Sequence, residues 1–407
     1  MSYSPDSARK TLPARTFLIL LLGALMTVSP FSIDMYLPAF SQIAKELGTT
    51  PAKISLSLTS YFVGLALGQL FYGPLLDRFG RKRPLYAGLS FYILASIACI
   101  LSHTIEGLIA FRFIQALGGG VAFVATIAMV RDFFPVEDSA KILSLLMLIL
   151  GLSPLLAPTV GGFVTTALGW HFVFILLAII VFLILALTFF YLPEGHQPDP
   201  TVSLKAKGIL KEFASIFKHR VFAVYALSGA FSFAALFVYV AGSPIIFMDM
   251  FHVSPQTYGG IFAFLSIGFI GGNQLNIFLL RKYKSEQIFR TALFCQVITA
   301  LVFLIGALND WYGLAATIGM FFLSLSCLGL TYPNASALAL APFSRNAGSA
   351  SALVGFLQIG MGALASTGVG LIDARNSVPI VSLLVATSLI ALLLFIVPSL
   401  AFRPSRR

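Results

Sequence analysis

The feature that most constrains this chain is the recurrence of long apolar runs. The first extends from about Thr16 to Pro38, and others begin near Ile54, Pro84, Leu108, Ile142, His171, Val221, Tyr258, Ile288, Tyr312, Ala347 and Val378, each roughly 18 to 25 residues long. A helix needs about 20 apolar residues to cross the hydrocarbon layer, and in lipid only a helix or a closed barrel satisfies its own backbone polar groups. Twelve such runs predict an all-α integral membrane protein with twelve transmembrane helices. Hydrophobic side chains make up 58% of the 407 residues and charged ones only 10%, so no soluble domain of ordinary size is left over. The first run follows Arg9, Lys10 and Arg15 but is longer than the apolar core of a signal peptide, about 7 to 15 residues, and no small-residue cleavage site closes it.

Charge sets the expected orientation. With the N-terminus inside, Arg78, Arg81, Lys82, Arg83, Arg131, Lys141, the group from Lys205 to Arg220, Arg281, Lys282, Lys284, Arg290, Arg345, Arg403, Arg406 and Arg407 fall on one side. Only Lys45, Lys53 and Arg375 fall on the other. Lys and Arg near span ends are retained in the cytoplasm, so both termini are predicted cytoplasmic. The formal charge of +11 then faces anionic lipid rather than nucleic acid. The longest polar interval, with Pro193, Pro198, Pro200 and four lysines, reads as a solvated tether between two sets of six spans. The expected division is a cytoplasmic segment at 1–15, a six-helix half at 16–192, a linker at 193–219, a second six-helix half at 220–400 and a basic tail at 401–407. The turn Arg81-Lys82 after the second run recurs as Arg281-Lys282 after the eighth, an echo of duplication. Paired halves with a binding site between them are one transporter architecture.

Enzymatic chemistry is not visible. His103, His171, His196, His219 and His252 lie in connectors or at span ends, and HExxH, GxSxG and GxxxxGK[ST] are all absent. No ATP-driven pump with its own nucleotide domain is encoded, and no cofactor or metal is expected. Cys99, Cys295 and Cys327 lie in apolar runs without CxxC spacing and read as packing residues.

Three motifs carry more. Gly73-Pro74-Leu75-Leu76-Asp77-Arg78-Phe79-Gly80-Arg81-Lys82-Arg83, between the second and third runs, resembles the GxLaDrxGrkxxl signature of the major facilitator superfamily nearly position by position. Arg112-Phe113-Ile114-Gln115-Ala116-Leu117-Gly118-Gly119-Gly120 is similar to the RxxqGxgaa pattern of its proton-coupled members, with Ala116 where glycine is usual. Ser153-Pro154-Leu155-Leu156-Ala157-Pro158-Thr159-Val160-Gly161-Gly162 resembles the gxxxGPxxGG motif of its antiporter branches, with Ser153 and Ala157 replacing glycines. Ser32-Ile33-Asp34-Met35-Tyr36-Leu37-Pro38-Ala39, with Asn334-Ala335-Ser336-Ala337 and Ala347 to Ala352, is similar to the Bcr/CflA, or bicyclomycin-resistance, branch. The likeness runs from about Phe17 to Pro398.

The resemblance implies a bacterial inner-membrane exporter that exchanges protons for small, chemically varied amphipathic molecules and acts as a monomer. An uptake symporter or facilitator on the same fold is the alternative, and Pro158, Gly161 and Gly162 favour export. Gly73 is expected to allow close helix approach and Gly80 a tight turn, while Asp77 caps the eleventh span near Gly348 and pairs with Arg81. Asp34, about four residues before the end of the first span, and Arg112, about six into the fourth, lie at similar depth. They are expected to pair, with Asp34 the main proton-coupling carboxylate. Tyr61, Gln115, Tyr239, Asn273 and Gln358 are the candidate substrate-binding residues between the halves.

Overall fold

The computed structural model describes residues 15–195, 197–201, 206–343, 346–372 and 376–400. Its helices are α1 (Arg15–Asp34), α2 (Phe40–Glu46), α3 (Pro51–Phe79), α4 (Lys82–Ile100), α5 (Ile105–Phe133), α6 (Val136–Leu168) and α7 (His171–Tyr191), followed by α8 (Ala206–Phe217), α9 (Arg220–Pro244), α10 (Pro255–Leu279), α11 (Ser285–Leu308), α12 (Leu314–Leu340), α13 (Ala347–Leu371) and α14 (Val378–Leu400). Among the described residues, twelve spans are long and apolar enough to cross a membrane. Helices α7, α13 and α14 begin at His171, Ala347 and Val378, where their apolar runs begin. Helices α3, α5 and α10 begin three residues earlier, because Thr50, Thr104 and Ser254 cap them by accepting hydrogen bonds from the backbone N–H of Lys53, Gly107 and Thr257.

Two departures from the sequence reading matter. The first span does not end at Pro38. Helix α1 stops at Asp34, a 3₁₀ turn covers Leu37–Ala39, and α2 carries the span on to Glu46. Asp34 therefore lies at a helix break well inside the span rather than about four residues from its end. The interval read as a tether also contains α8, whose Ile216 is 1% exposed and packs in one apolar cluster with Phe222, Ala226, Ala350 and Leu353. This amphipathic helix is docked on the second half.

With twelve crossings, the described start and finish of the chain share one end, the same end as Arg81, Lys82, Arg131, Arg281 and Lys282. We call it the basic end and its opposite the far end. The two six-helix halves meet along α3 with α13 and α6 with α10. Their apolar packing differs by end. At the far end one cluster joins both halves, with Tyr36, Phe40, Phe62 and Phe174 from the first and Phe237, Tyr239, Phe247 and Phe321 from the second. Toward the basic end the core divides. Leu22, Leu76, Leu85 and Val130 belong to a cluster of the first half alone, and Phe222, Ala339 and Phe289 belong to clusters of the second. The halves are thus joined at the far end and separate toward the basic end.

The cysteines follow their helix faces. Cys99 is buried, but Cys295 is exposed on α11, so it is not the packing residue the sequence suggested. Truncating a buried Ile to Ala costs about 2 to 5 kcal/mol, so Ile216→Ala should detach α8. Tryptic cleavage at the exposed Lys211 should accelerate about tenfold or more while the twelve spans stay intact.

Candidate transport site

Arg112 is fully buried, seven residues into α5. A buried cation needs compensation, and here no carboxylate supplies it. Among the described residues no ion pair joins Arg112 to Asp34, so the structure does not bring that expected pair into contact. Instead Nη1 donates to Gln115 Oε1 at 2.6 Å and Nη2 to the Ser32 carbonyl at 3.0 Å. Ser32 lies in the last turn of α1, where carbonyls lack intrahelical donors and the helix dipole is negative. The guanidinium carbon also stands 4.2 Å from the Tyr61 ring centroid and 4.6 Å from that of Tyr36. Desolvated cation–π contacts of this kind contribute about 2 kcal/mol. Arg112 is therefore a C-cap for α1 inside an aromatic box.

A polar network extends from it. Gln115 donates to Ser96 Oγ at 2.7 Å, and Ser32 shares a short hydrogen bond with the Tyr92 hydroxyl. Tyr36 is joined to Ser57 at 2.7 Å. Arg112 Nε and the Tyr61 hydroxyl are buried without an aligned partner, the hydroxyls of Ser29 and Ser32 lying alongside Tyr61. Ser96 and Tyr92 were not singled out from the sequence, and Ser32 and Tyr36 entered only as members of the Ser32–Ala39 motif, without a site role. Their signal was faint: polar residues one turn apart on apolar helices.

Asp34 is buried, 6% exposed, at the end of α1, and among the described residues its carboxylate has no hydrogen bond. It lies within electrostatic reach of Tyr239 on α9 and Tyr258 on α10, both from the other half. The Tyr239 hydroxyl has no partner, and its ring packs on Phe262 and Phe321. Behind it, inside the second half, is a small cavity also lined by Gln296, Ser324 and Ser388. The other candidate side chains are scattered. Asn273 bonds only to the Phe269 carbonyl of its own helix, and Gln358 donates to Ser336.

Helix α6 holds the halves together next to Asp34. A Cβ on Gly161 would stand 2.2 Å from the Met35 carbonyl oxygen, and one on Gly162 would stand 2.5 Å from that of Pro255 at the start of α10. On the facing side, Gly259 approaches the Pro158 carbonyl as closely, at 2.8 Å for the same construction. Glycine alone permits these backbone contacts. Pro154 and Pro158 both lie inside the unbroken α6.

At the basic end, Gly80 has φ +80°, a conformation that favours glycine, and turns α3 into α4. Arg81 donates to Asp77 at 2.7 Å and to Asp132 at 2.8 Å. Burial works against its charge, and the bonds to Asp132 and Asp77 more than offset this, so its pKa stands above the ordinary arginine value. Glu194 Oε1 caps α4 by accepting from the backbone N–H of Arg81 and Lys82. The expected Asp77–Arg81 pair is present, but the expected cap of α13 by Asp77 is not. Asp77 is half exposed, and the space a Cβ would take on Gly348 is open. The space beside Gly73 is open as well, so no close helix approach occurs there. Arg78 has interactions of its own, including a 5.9 Å approach to the Phe79 ring.

Comparison with known proteins decides the family. The Major Facilitator Superfamily profile matches residues 22–367. The chain belongs to that superfamily. The uncharacterized MFS-type transporter YdgK of Bacillus subtilis is 33% identical over 388 residues, covering 94% of this chain and 95% of that protein. The bicyclomycin resistance protein homolog of Haemophilus influenzae is 30% identical over 377 residues, covering 93% and 94%. Multidrug resistance protein MdtL of Shigella dysenteriae is 29% identical over 384 residues, covering 92% and 94%. The fold matches the nucleoside transporter NupG with a TM-score of 0.75 at 12% identity, covering 95% of this chain and 99% of that one. It matches a D-xylose–proton symporter with a TM-score of 0.72 at 14%, covering 92% and 97%. The superfamily consists of transporters, not enzymes, and the likeness to the bicyclomycin-resistance branch is carried by close relatives as well as by motifs.

A methyl group at Gly162 must displace the Pro255 backbone of the other half, whereas one at Gly260, next to Gly259 on α10, meets open space. Gly162→Ala should reduce transport at least tenfold at normal expression, about 1.4 kcal/mol against the joined state, and Gly260→Ala should transport normally. Whole-cell efflux of a fluorescent substrate normalised to membrane abundance measures both.

Proposed function

We propose that this transporter is a proton-driven exporter of small amphipathic compounds, exchanging inward-moving protons for outward-moving substrate. The observation that carries this reading is Asp34. It is a buried carboxylate with no hydrogen bond among the described residues, set at the break between α1 and the 3₁₀ turn, next to the Met35–Gly161 backbone contact and within electrostatic reach of tyrosines of the opposite half. A negative charge there is opposed by the C-terminal end of the α1 dipole, which Arg112 partly offsets. Loading and removing a proton at that point therefore acts on the contact between the halves. Asp34 is the main proton-coupling carboxylate, and Arg112 is its electrostatic partner through the end of α1 rather than through an ion pair.

The positive-inside rule supports cytoplasmic termini and a bacterial inner-membrane location. In that orientation the separated basic end faces the cytoplasm. The proposed division places the linker at 193–219, with α8 packed on the second half. In this scheme Tyr61, Tyr239, Gln115, Asn273 and Gln358 bind substrate as the halves move, and the protein acts as a monomer. The alternate state closes the basic end, bringing Asp77 to the first turn of α13. An anion at a helix N-terminus contributes about 0.3 to 2 kcal/mol, enough to bias such an equilibrium. The names of the bicyclomycin resistance homolog and of MdtL favour export over uptake.

Substrate added to the purified transporter should release protons, read with a pH dye, and Asp34→Asn should abolish the release. Undiminished release from that variant would place coupling elsewhere. Asp77→Asn should stop export at near-normal expression, because Arg81 keeps Asp132 while the closing contact is lost. A resistance panel in a pump-deficient bacterium reads that outcome, and substantial export by the variant counts against the contact.

A further inference from the structure

The far end contains a second carboxylate that the coupling scheme does not use. Asp249 follows Pro244 in a π-helical turn, Ile245–Met250, which continues α9. Such turns displace side chains from ordinary helical register. Its Oδ1 accepts a hydrogen bond of 2.8 Å from Ser41 on α2, so the bond crosses from one half to the other. Its Oδ2 is buried with no partner. Two residues on, His252 has φ +54°, an unusual conformation for a side chain with a Cβ, and this turns the chain into α10.

We propose that Asp249 is a second proton-binding site of this transporter, and that proton occupancy there decides whether the far end stays shut. In the joined state Ser41 serves one carboxylate oxygen and nothing serves the other. Leaving a charged oxygen buried and unpaired costs more than leaving a neutral one. When the halves part at this end, water reaches Asp249 and the charged form is solvated. Protonated Asp249 thus favours the shut far end, and ionised Asp249 favours opening. The joint is of a kind one group can bias, since Ser41 reaches across at the same end as the backbone contact of Gly162 with Pro255.

The other ionisable groups around it are accounted for. Helix α2 presents Lys45 and Glu46, both exposed, with Glu46 engaged by the Trp170 indole. The loop presents His252, exposed and within electrostatic reach of Asp249 but not in an ion pair with it. Helix α10 presents Tyr258, bonded to Ser243, and α1 presents Asp34. His252, and His171, whose Nε2 lies 3.6 Å from Glu46, are the described neighbours whose own titration can imitate the effect, so each needs its own variant.

The proposal is independent of Asp34 being the coupling carboxylate, and one experiment keeps the two apart. Amide hydrogen exchange of the substrate-free transporter in nanodiscs is followed from pH 5 to 8.5 and corrected for intrinsic rates, reading the peptides that cover 35–50 and 245–258. In the native chain their protection should fall about fivefold or more as pH rises, since a few kcal/mol separate such states. Asp249→Asn should be protected and insensitive to pH. Asp249→Glu should keep the response with a displaced midpoint, and Ser41→Ala should keep it from a lower starting protection. Asp34→Asn, His252→Gln and His171→Gln should all retain the native response. A pH-insensitive native chain overturns the proposal. So does an Asp249→Asn chain that keeps the native profile or is insensitive but unprotected, or a response lost only in His252→Gln, His171→Gln or Asp34→Asn.

Discussion

The architecture depends on a joint made of backbone rather than side chains. In lipid, helices gain little from hiding apolar surface, because the solvent is itself apolar, so association depends on close van der Waals fit. Gly162 against Pro255 and Gly259 against Pro158 give that fit between the halves at the far end, and Gly161 against the Met35 carbonyl packs α6 on the first span beside it. The shared aromatic cluster of Phe62, Phe237, Tyr239 and Phe321 fills the space around it, with Phe62 and Phe237 edge to face at 4.5 Å. Toward the basic end no such cluster is shared, and each half keeps its own core. Two rigid bodies joined at one end are what a rocking transporter needs.

Two charges sit near that joint, and the fold treats them differently. The Arg112 cation is satisfied in place by a helix C-terminus, an amide and two aromatic faces, so it is a fixed part of the first half. Asp34, two residues from the carbonyl that Arg112 holds, has no hydrogen bond among the described residues and lies within electrostatic reach of Tyr239 and Tyr258 of the other half. In the proposed scheme the arginine anchors the end of α1, so a change of charge on Asp34 is not absorbed by fraying of that helix end and acts instead across to the other half. The second carboxylate, Asp249, touches the same joint from the opposite half through Ser41.

Much of this was legible in the sequence because hydropathy and motif spacing are local properties. The twelve runs gave twelve spans, and Gly80 and the Asp77–Arg81 pair are where the motif puts them. The misses were of two kinds. Equal depth along two helices fixes height but not azimuth, so matching Asp34 with Arg112 by depth could not reveal that the arginine reaches the Ser32 carbonyl instead. Hydropathy also stops at polar residues, so the helix Phe40–Glu46 was cut from the first span and Asp34 was set too near its end. Helix α8 was readable from Ile209, Phe213 and Ile216 at spacings of four and three, but the prolines and lysines around it pointed to a tether.

The position of α8 changes what a linker of this kind can do. A free tether transmits no force, whereas α8 is fixed to the second half by Ile216 beside Ala350, in the first turn of α13. On the other side of the gap, the Asp199 backbone N–H donates to the Asp77 carbonyl at 3.1 Å, and Glu194 caps α4. The two ends of the linker therefore hold the two surfaces that must meet when the basic end closes. Its length limits how far they can separate, so opening at that end is restrained by the chain itself as well as by the joint at the far end.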